Sequence, residues 1–203
     1  LDKIIKPILP QIEAFESRLG EALASDVSLV GAMGRHLLET RGNRIRPTLS
    51  LLTAQAIGEC DDRVVDAAVG IEIIHTATLI HDDVIDFADK RRGAEVLNIR
   101  WGNQAAVLMG DFLLATALQT LVGLDSMPVM RAATAAVRRM IEGEILETEK
   151  GADAETAVYY QMIDKKTASL MALCCEVGAI LAGGTADQIR MMAAFGKDVG
   201  MAF

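Results

Sequence analysis

The sequence predicts an all-α fold, and two observations carry that expectation. Apolar residues recur at helical spacing along most of the chain, and no segment shows the sustained alternation with β-branched enrichment that strands require. No low-complexity linker or repeat period divides the chain, so residues 1–203 are expected to belong to a single domain. The composition, 51% hydrophobic but only 4% aromatic over 203 residues, fits one soluble domain with an aliphatic core.

The elements follow in order. Ile5, Ile8, Leu9, Ile12, Phe15, Leu19 and Leu23 predict an amphipathic helix from residue 2 to about 24, with Pro7 and Pro10 confined to its first turns. A second helix is expected from Ser28 to about Glu39. After a break at Arg41-Gly42-Asn43, a third starts at Pro47 and ends before Gly58. Arg44 and Arg46 thereby sit at a helix N-terminus, where free N–H groups and the helix dipole favour an anion; a solvated basic turn is the plainer alternative. The central helix starts near Asp61 or Asp62 and is expected to end at Gly93. Three more long helices are read at 102–123, 126–150 and 153–182, interrupted near Gly123 and Gly151, and a last one begins at about Thr185.

The central helix carries the chemistry. Asp82, Asp83 and Asp86 stand at i, i+1 and i+4, which puts the first and third on one face about 6 Å apart along the axis. Two unit charges about 4 Å apart repel by about 4 kcal/mol at an effective dielectric of about 20, so such a claw stays exposed, takes up protons or holds a cation. Oxygen ligands with no clustered His or Cys favour Mg²⁺, which keeps waters and binds through one or two carboxylates plus substrate phosphates. Arg91 and Arg92 supply the forked donors that grip phosphate oxygens. His75, Thr78, Asp82 and Asp86 fall on adjoining turns of one side, with His75 about 10 Å from Asp82 along the axis. His75 reads either as a satisfied structural histidine or as a contact to a second diphosphate. His81 faces another side and His36 lies outside any constellation, so neither receives a role. Lys166-Thr167 follows another lysine and on spacing alone is equally a solvated patch.

Composition excludes other classes. The net charge of −8, from 20 basic and 28 acidic residues, gives no general attraction to nucleic acid or anionic membrane. Cys60, Cys174 and Cys175 have neither zinc-site nor disulfide-framework spacing and read as core thiols. The first residues lack a signal-peptide pattern, so the expected setting is cytoplasmic. Ala105 to Leu124 is long enough to span a bilayer, but it carries Asp111 and Gln119 and is read as a buried helix rather than a transmembrane segment.

Asp-Asp-Val-Ile-Asp-Phe-Ala-Asp-Lys-Arg-Arg-Gly at 82–93 resembles the first aspartate-rich motif of the trans-type polyprenyl diphosphate synthases. Gly42-Asn43-Arg44-Ile45-Arg46-Pro47 resembles that family's basic loop, and Trp101-Gly102-Asn103 with Gly110-Asp111-Phe112-Leu113-Leu114 resembles the segment after its paired arginines. Glu142-Gly143-Glu144 and Lys166-Thr167 follow in the family's order, and the overall pattern is similar to long-chain, octaprenyl-type synthases. The resemblance implies a bundle of long helices around a central substrate cavity, and it implies roles by motif position. Asp82 and Asp86, with Asp83 alongside, would bind Mg²⁺. Arg91, Lys166 and Thr167 would contact an allylic diphosphate, and Arg46, His75 and Arg92 would contact isopentenyl diphosphate. It also implies a homodimer.

Two departures stand out. Asn43 replaces the family's lysine, with Arg41 the cation nearest to compensate. The stretch from Phe195 to Phe203 resembles the lead-in to a second aspartate-rich motif that does not follow, so the chain is expected to be truncated, with the C-terminal part of the domain absent and this exact chain inactive. Ala77 and Thr78, with Ile74 one turn deeper, are small where a bulky aromatic would close the floor of a tail cavity, which predicts a product longer than four isoprene units. Two rival readings are a class I terpene cyclase, which would not need Arg44, Arg46, His75 and the Arg91-Arg92 pair, and a non-catalytic or regulatory subunit of a heteromeric prenyl synthase.

Overall fold

The structure is a computed structural model and describes residues 2–40, 42–150 and 155–203. It is all-α apart from one short ribbon. The first predicted helix is divided into α1 (Asp2–Ile5), a 3₁₀ turn (Lys6–Ile8) and α2 (Leu9–Ala22). Pro7 and Pro10 donate no backbone hydrogen bond, which is why the chain turns before it settles into regular helix. α3 (Ser28–Glu39) has the predicted bounds, whereas α4 (Ile45–Ile57) begins two residues before Pro47.

The central helix α5 (Asp62–Ile85) is capped by Asp61, whose carboxylate accepts from the N–H groups of Arg63 (3.0 Å) and Val64 (3.3 Å). It ends at Ile85, eight residues before the expected Gly93. Phe87 then takes a left-handed φ of 53°, and the chain forms a two-stranded antiparallel ribbon, β1 (Lys90–Arg91) and β2 (Ala94–Glu95). Arg92 and Gly93 at its tip both have positive φ, as a two-residue hairpin turn demands.

α6 (Leu97–Trp101), α7 (Asn103–Val122) and α8 (Met127–Lys150) follow. The predicted break near Gly151 and the helix start at 153 fall outside the described residues. α9 (Thr156–Ile163) runs through a π-helical turn (Asp164–Ala168) into α10 (Ser169–Leu181), so the one helix predicted there contains an irregular turn. α11 (Ala186–Ala202) starts at Thr185 with a capping box closed by Gln188.

α5 lies at the centre, against α7, α4, α2 and α10, while α10 packs on α11, α4 and α8. Buried aliphatic side chains from α2, α4, α5, α7, α8 and α10 form one core, and Cys60, Cys174 and Cys175 are buried free thiols.

Among the described residues two helices, α5 and α7, are long and apolar enough to cross a membrane by length and composition; 67% of the apolar window of α5 is buried, but only 33% of that of α7. The helix expected at Ala105–Leu124 packs on α5 as a core element, but it is only partly buried. One face of α7 packs on α5, and the other leaves Val107, Leu108 and Val122 exposed. Helical periodicity cannot show this, because the helix is apolar on both faces.

The Asp61 cap holds the first turn of the core helix. Asp61→Ala should cost about 0.5–2 kcal/mol of stability in urea denaturation, and Asp61→Asn should retain most of it.

Candidate functional site

A cavity of about 1040 Å³ opens where the C-terminal end of α5 meets α7, α8, α9, the π-helical turn and α11. His75, Thr78 and Asp82 line it from α5, as their spacing predicts, together with Arg46, Lys166, Thr167 and Glu144. Along the axis of α5 its polar groups fall into an acidic end and a basic end.

At the acidic end, burial pushes the Asp82 carboxyl up to about 6, and the charges of Glu144 and Asp86 add to that effect against the opposing pull of Lys166 and Arg91. Lys166 reaches across from the π-helical turn to Glu144 (2.7 Å) and Glu147 (2.7 Å). Burial acts to lower the Lys166 ammonium, but its bonds to these two carboxylates outweigh it and raise the group above the ordinary lysine range.

The three-carboxylate claw is not assembled as predicted. Asp83 is buried and turned away from Asp82, and it accepts from Arg91 Nε (2.9 Å) and Nη2 (2.7 Å). Successive helical residues differ by about 100° in direction, so two adjacent aspartates cannot face one ion from a regular helix. Asp86 follows α5 as its exposed C-cap. Among the described residues no three His, Cys, Asp or Glu side chains converge to hold a metal. Asp82 and Asp86, with Glu144 across the cavity, remain as an oxygen-only set. Burial and the neighbouring carboxylates together raise Asp82 in spite of Lys166 and Arg91, and an oxygen-only set of this kind fits a hard divalent cation.

At the basic end, Arg91 and Arg92 line a smaller cavity of about 80 Å³ with His75 and Asp83. Burial, then the charges of Arg46, Arg92 and Arg91, push His75 down to about 2, so it is a neutral imidazole among three guanidinium groups. Arg46 is the most telling of the three. Burial lowers its guanidinium, Nε is buried without a hydrogen-bond partner, and among the described residues no carboxylate is paired with it. A buried cation in this condition is costly unless an anion completes it.

Arg44 behaves differently from Arg46. It is bound by Glu16 (2.8 Å) on α2 and Glu72 (3.0 Å) on α5, so its charge is spent on joining helices and the expected contribution to an anion site is corrected. Asn43 is exposed, and Arg41, the cation expected to compensate for it, lies outside the described residues.

Of the three residues expected at the floor of a tail cavity, only Thr78 lines the cavity; Ile74 and Ala77 are buried in the aliphatic core. His81, expected to face elsewhere, does line the cavity, with Nε2 donating to the Val107 carbonyl (3.2 Å). His36 also belongs to a constellation. Its Nε2 donates to the Glu95 carbonyl (2.8 Å), Arg100 lies 3.2 Å from its Nδ1, and it packs edge-on against Trp101. Glu144 and Glu147 received no role from the sequence, although their i, i+3 spacing already places them on one face of a helix.

The sequence profile of the polyprenyl synthetase family matches residues 27–203. Octaprenyl diphosphate synthase of Haemophilus influenzae is 36% identical over 205 residues, covering all of this chain and 62% of the relative. Heptaprenyl diphosphate synthase component 2 of Geobacillus stearothermophilus is 35% identical over 195 residues, 95% of this chain and 61% of the relative. The crystal structure of a polyprenyl synthase from Caulobacter crescentus, complexed with calcium and isoprenyl diphosphate, superposes with a TM-score of 0.94 at 32% identity over 98% of this chain and 61% of that one. The chain belongs to the polyprenyl synthetase family, and it spans less than two thirds of the length of these relatives.

Two outcomes follow from the charges. Arg46→Met should raise the urea midpoint of the ligand-free protein and weaken inorganic pyrophosphate binding about tenfold in calorimetry, the loss of one charged hydrogen bond. The Asp82 carboxyl stands above its unfolded value, so it costs stability as pH rises from about 4 towards 6 and above. Asp82→Asn should therefore stabilise the metal-free protein at pH 7 and make little difference at pH 4, as denaturation at the two pH values would show.

Proposed function

We propose that the protein is a Mg²⁺-dependent prenyltransferase that condenses isopentenyl diphosphate with an allylic diphosphate to give a polyprenyl diphosphate longer than four isoprene units. The observation that carries this reading is Arg46, whose half-buried guanidinium has a buried, unpartnered Nε and no paired carboxylate among the described residues, beside a neutral His75 two helical turns from an acidic pair. Two polyanionic ligands with different needs fit the two ends. An allylic diphosphate lies with Asp82 and Asp86, held by Lys166, Thr167 and Arg91. Isopentenyl diphosphate lies with Arg46, His75 and Arg92.

Asp82 and Asp86 would hold Mg²⁺, which when bound neutralises the diphosphate leaving group as its C–O bond breaks. Asp83 orients Arg91 instead of binding metal. Lys166 and Arg91 grip the leaving diphosphate, while Arg46, Arg92 and neutral His75 fix the other substrate so that its double bond faces the allylic carbon. Alignment of two reactants in a cavity supplies much of the rate in such a step. The new C–C bond forms as the allylic C–O bond breaks, and the proton leaves to the departing pyrophosphate. No protein nucleophile takes part.

The residues 1–203 belong to one helical domain in this reading, and the free buried thiols suit a cytoplasmic setting. The exposed apolar face of α7 is covered by a second copy in a homodimer. A second reading, a subunit of a heteromeric synthase, is favoured by the likeness to heptaprenyl diphosphate synthase component 2.

The deciding experiment incubates the full-length protein with Mg²⁺, labelled isopentenyl diphosphate and farnesyl diphosphate and sizes the products. Elongation beyond four units is expected, and Thr78→Phe should shorten the product because Thr78 lines the cavity. Elongation only after a second protein is added would favour the heteromeric reading.

A further inference from the structure

Three consecutive residues of the π-helical turn point to three separate sets of partners of opposite charge. Asp164 accepts from Arg139 Nη2 of α8 at 2.7 Å, and the Lys197 ammonium of α11 forms an ion pair 2.9 Å from its other oxygen, though without hydrogen-bond geometry. Lys165 bonds Glu142 of α8 at 2.5 Å. Lys166 alone turns into the main cavity, to Glu144 and Glu147. Asp164, Arg139 and Lys197 face a separate groove of about 680 Å³ between α8, α10 and α11, so they do not touch the cavity that Lys166 enters.

A π-helical turn is rarer and less favourable than α-helix and persists where its surroundings over-determine it. Here the Ser169 N–H reaches five residues back to the Asp164 carbonyl, and Ser169 Oγ donates to the Lys165 carbonyl at 2.6 Å. Two helices press on the turn at glycines. A Cβ on Gly143 would lie 2.9 Å from Lys165 Cβ, and one on Gly200 would lie 2.5 Å from Ala168 Cα. The turn is thus gripped by α8 and α11 at its backbone and by Arg139 and Lys197 at its first side chain. If it relaxed to α-helix, the residues after Asp164 would shift by one position, about 100° around the axis. Lys166 and Thr167 would then no longer enter the cavity together.

We propose that Asp164 is a positioning residue. Clamped by Arg139 and Lys197 on the side of the bundle away from the cavity, it holds the turn that aims Lys166 and Thr167 at the allylic diphosphate. This rests on the reading of Lys166 and Thr167 given above.

The test compares Asp164→Asn, Asp164→Glu and Lys166→Ala in the full-length protein by steady-state kinetics in both substrates, thermal denaturation, and amide hydrogen exchange of residues 164–169. Asp164→Asn is expected to raise KM for the allylic diphosphate about tenfold, the equivalent of one lost charged hydrogen bond. It should leave KM for isopentenyl diphosphate and Tm unchanged and speed exchange in the turn, and Asp164→Glu should recover most of the loss. Wild-type kinetics in Asp164→Asn, with KM raised in Lys166→Ala, would overturn the positioning role and leave the site reading intact. An unchanged KM in Lys166→Ala would remove both. A rise in both KM values that tracks a fall in Tm would show a merely structural residue and overturn the proposal.

Discussion

Everything polar in this protein depends on the burial of α5. Beyond its exposed first turn, a helix packed against α2, α4, α7 and α10 leaves few directions in which an ionised side chain reaches water, so Glu72, His75, Asp82 and Asp83 must meet a partner or an unusual protonation state. Glu72 meets Arg44, Asp83 meets Arg91, and His75 stays neutral. Asp82, with its carboxyl lifted to about 6, is the least satisfied of the four. The partners arrive from the basic loop before α4, from the ribbon after α5 and from the π-helical turn. These three irregular segments are ordered by the needs of one regular helix.

Satisfied and unsatisfied charges are sorted in space. Arg44 and Asp83 have well-matched partners and join elements: one ties α2 to α5, and the other ties the ribbon to the end of α5. Arg46, with an unpartnered Nε, and Asp82, with its carboxyl raised by burial, are half-buried, and both line the cavity. Neighbours in sequence thus take opposite tasks. The 100° step between adjacent helical residues separates Asp82 from Asp83, and the left-handed φ of 53° at Arg44 sets it apart from Arg46.

Much of this was legible in the sequence. Local signals placed α3 to the residue, the Asp61 start of α5 and the Thr185 cap of α11, because each depends on short-range chemistry. The alignment of His75, Thr78 and Asp82 also followed from helical spacing and holds in the cavity wall. What the sequence hid were facts about direction and distant partners. The end of α5 was misjudged because the stretch after Ile85 keeps a helical composition, and a ribbon of two-residue strands is too short to show alternation. Arg44 and Arg46 look alike until Glu16 and Glu72, each 28 residues from Arg44, are brought to one of them. Ala77 stands one helical step, about 100°, from Thr78, which turns it into the core while Thr78 stays in line with His75 and Asp82.

The uncompensated guanidinium of Arg46 links occupancy to survival. A ligand that binds only the folded chain stabilises it in proportion to the logarithm of its concentration over Kd. An anion at Arg46 adds to this by removing an electrostatic debt that the empty fold carries. The open population that proteases attack therefore shrinks as the anion accumulates and grows when it is scarce. On the proposed reading, the working level of this protein would follow the supply of the anion that Arg46 binds.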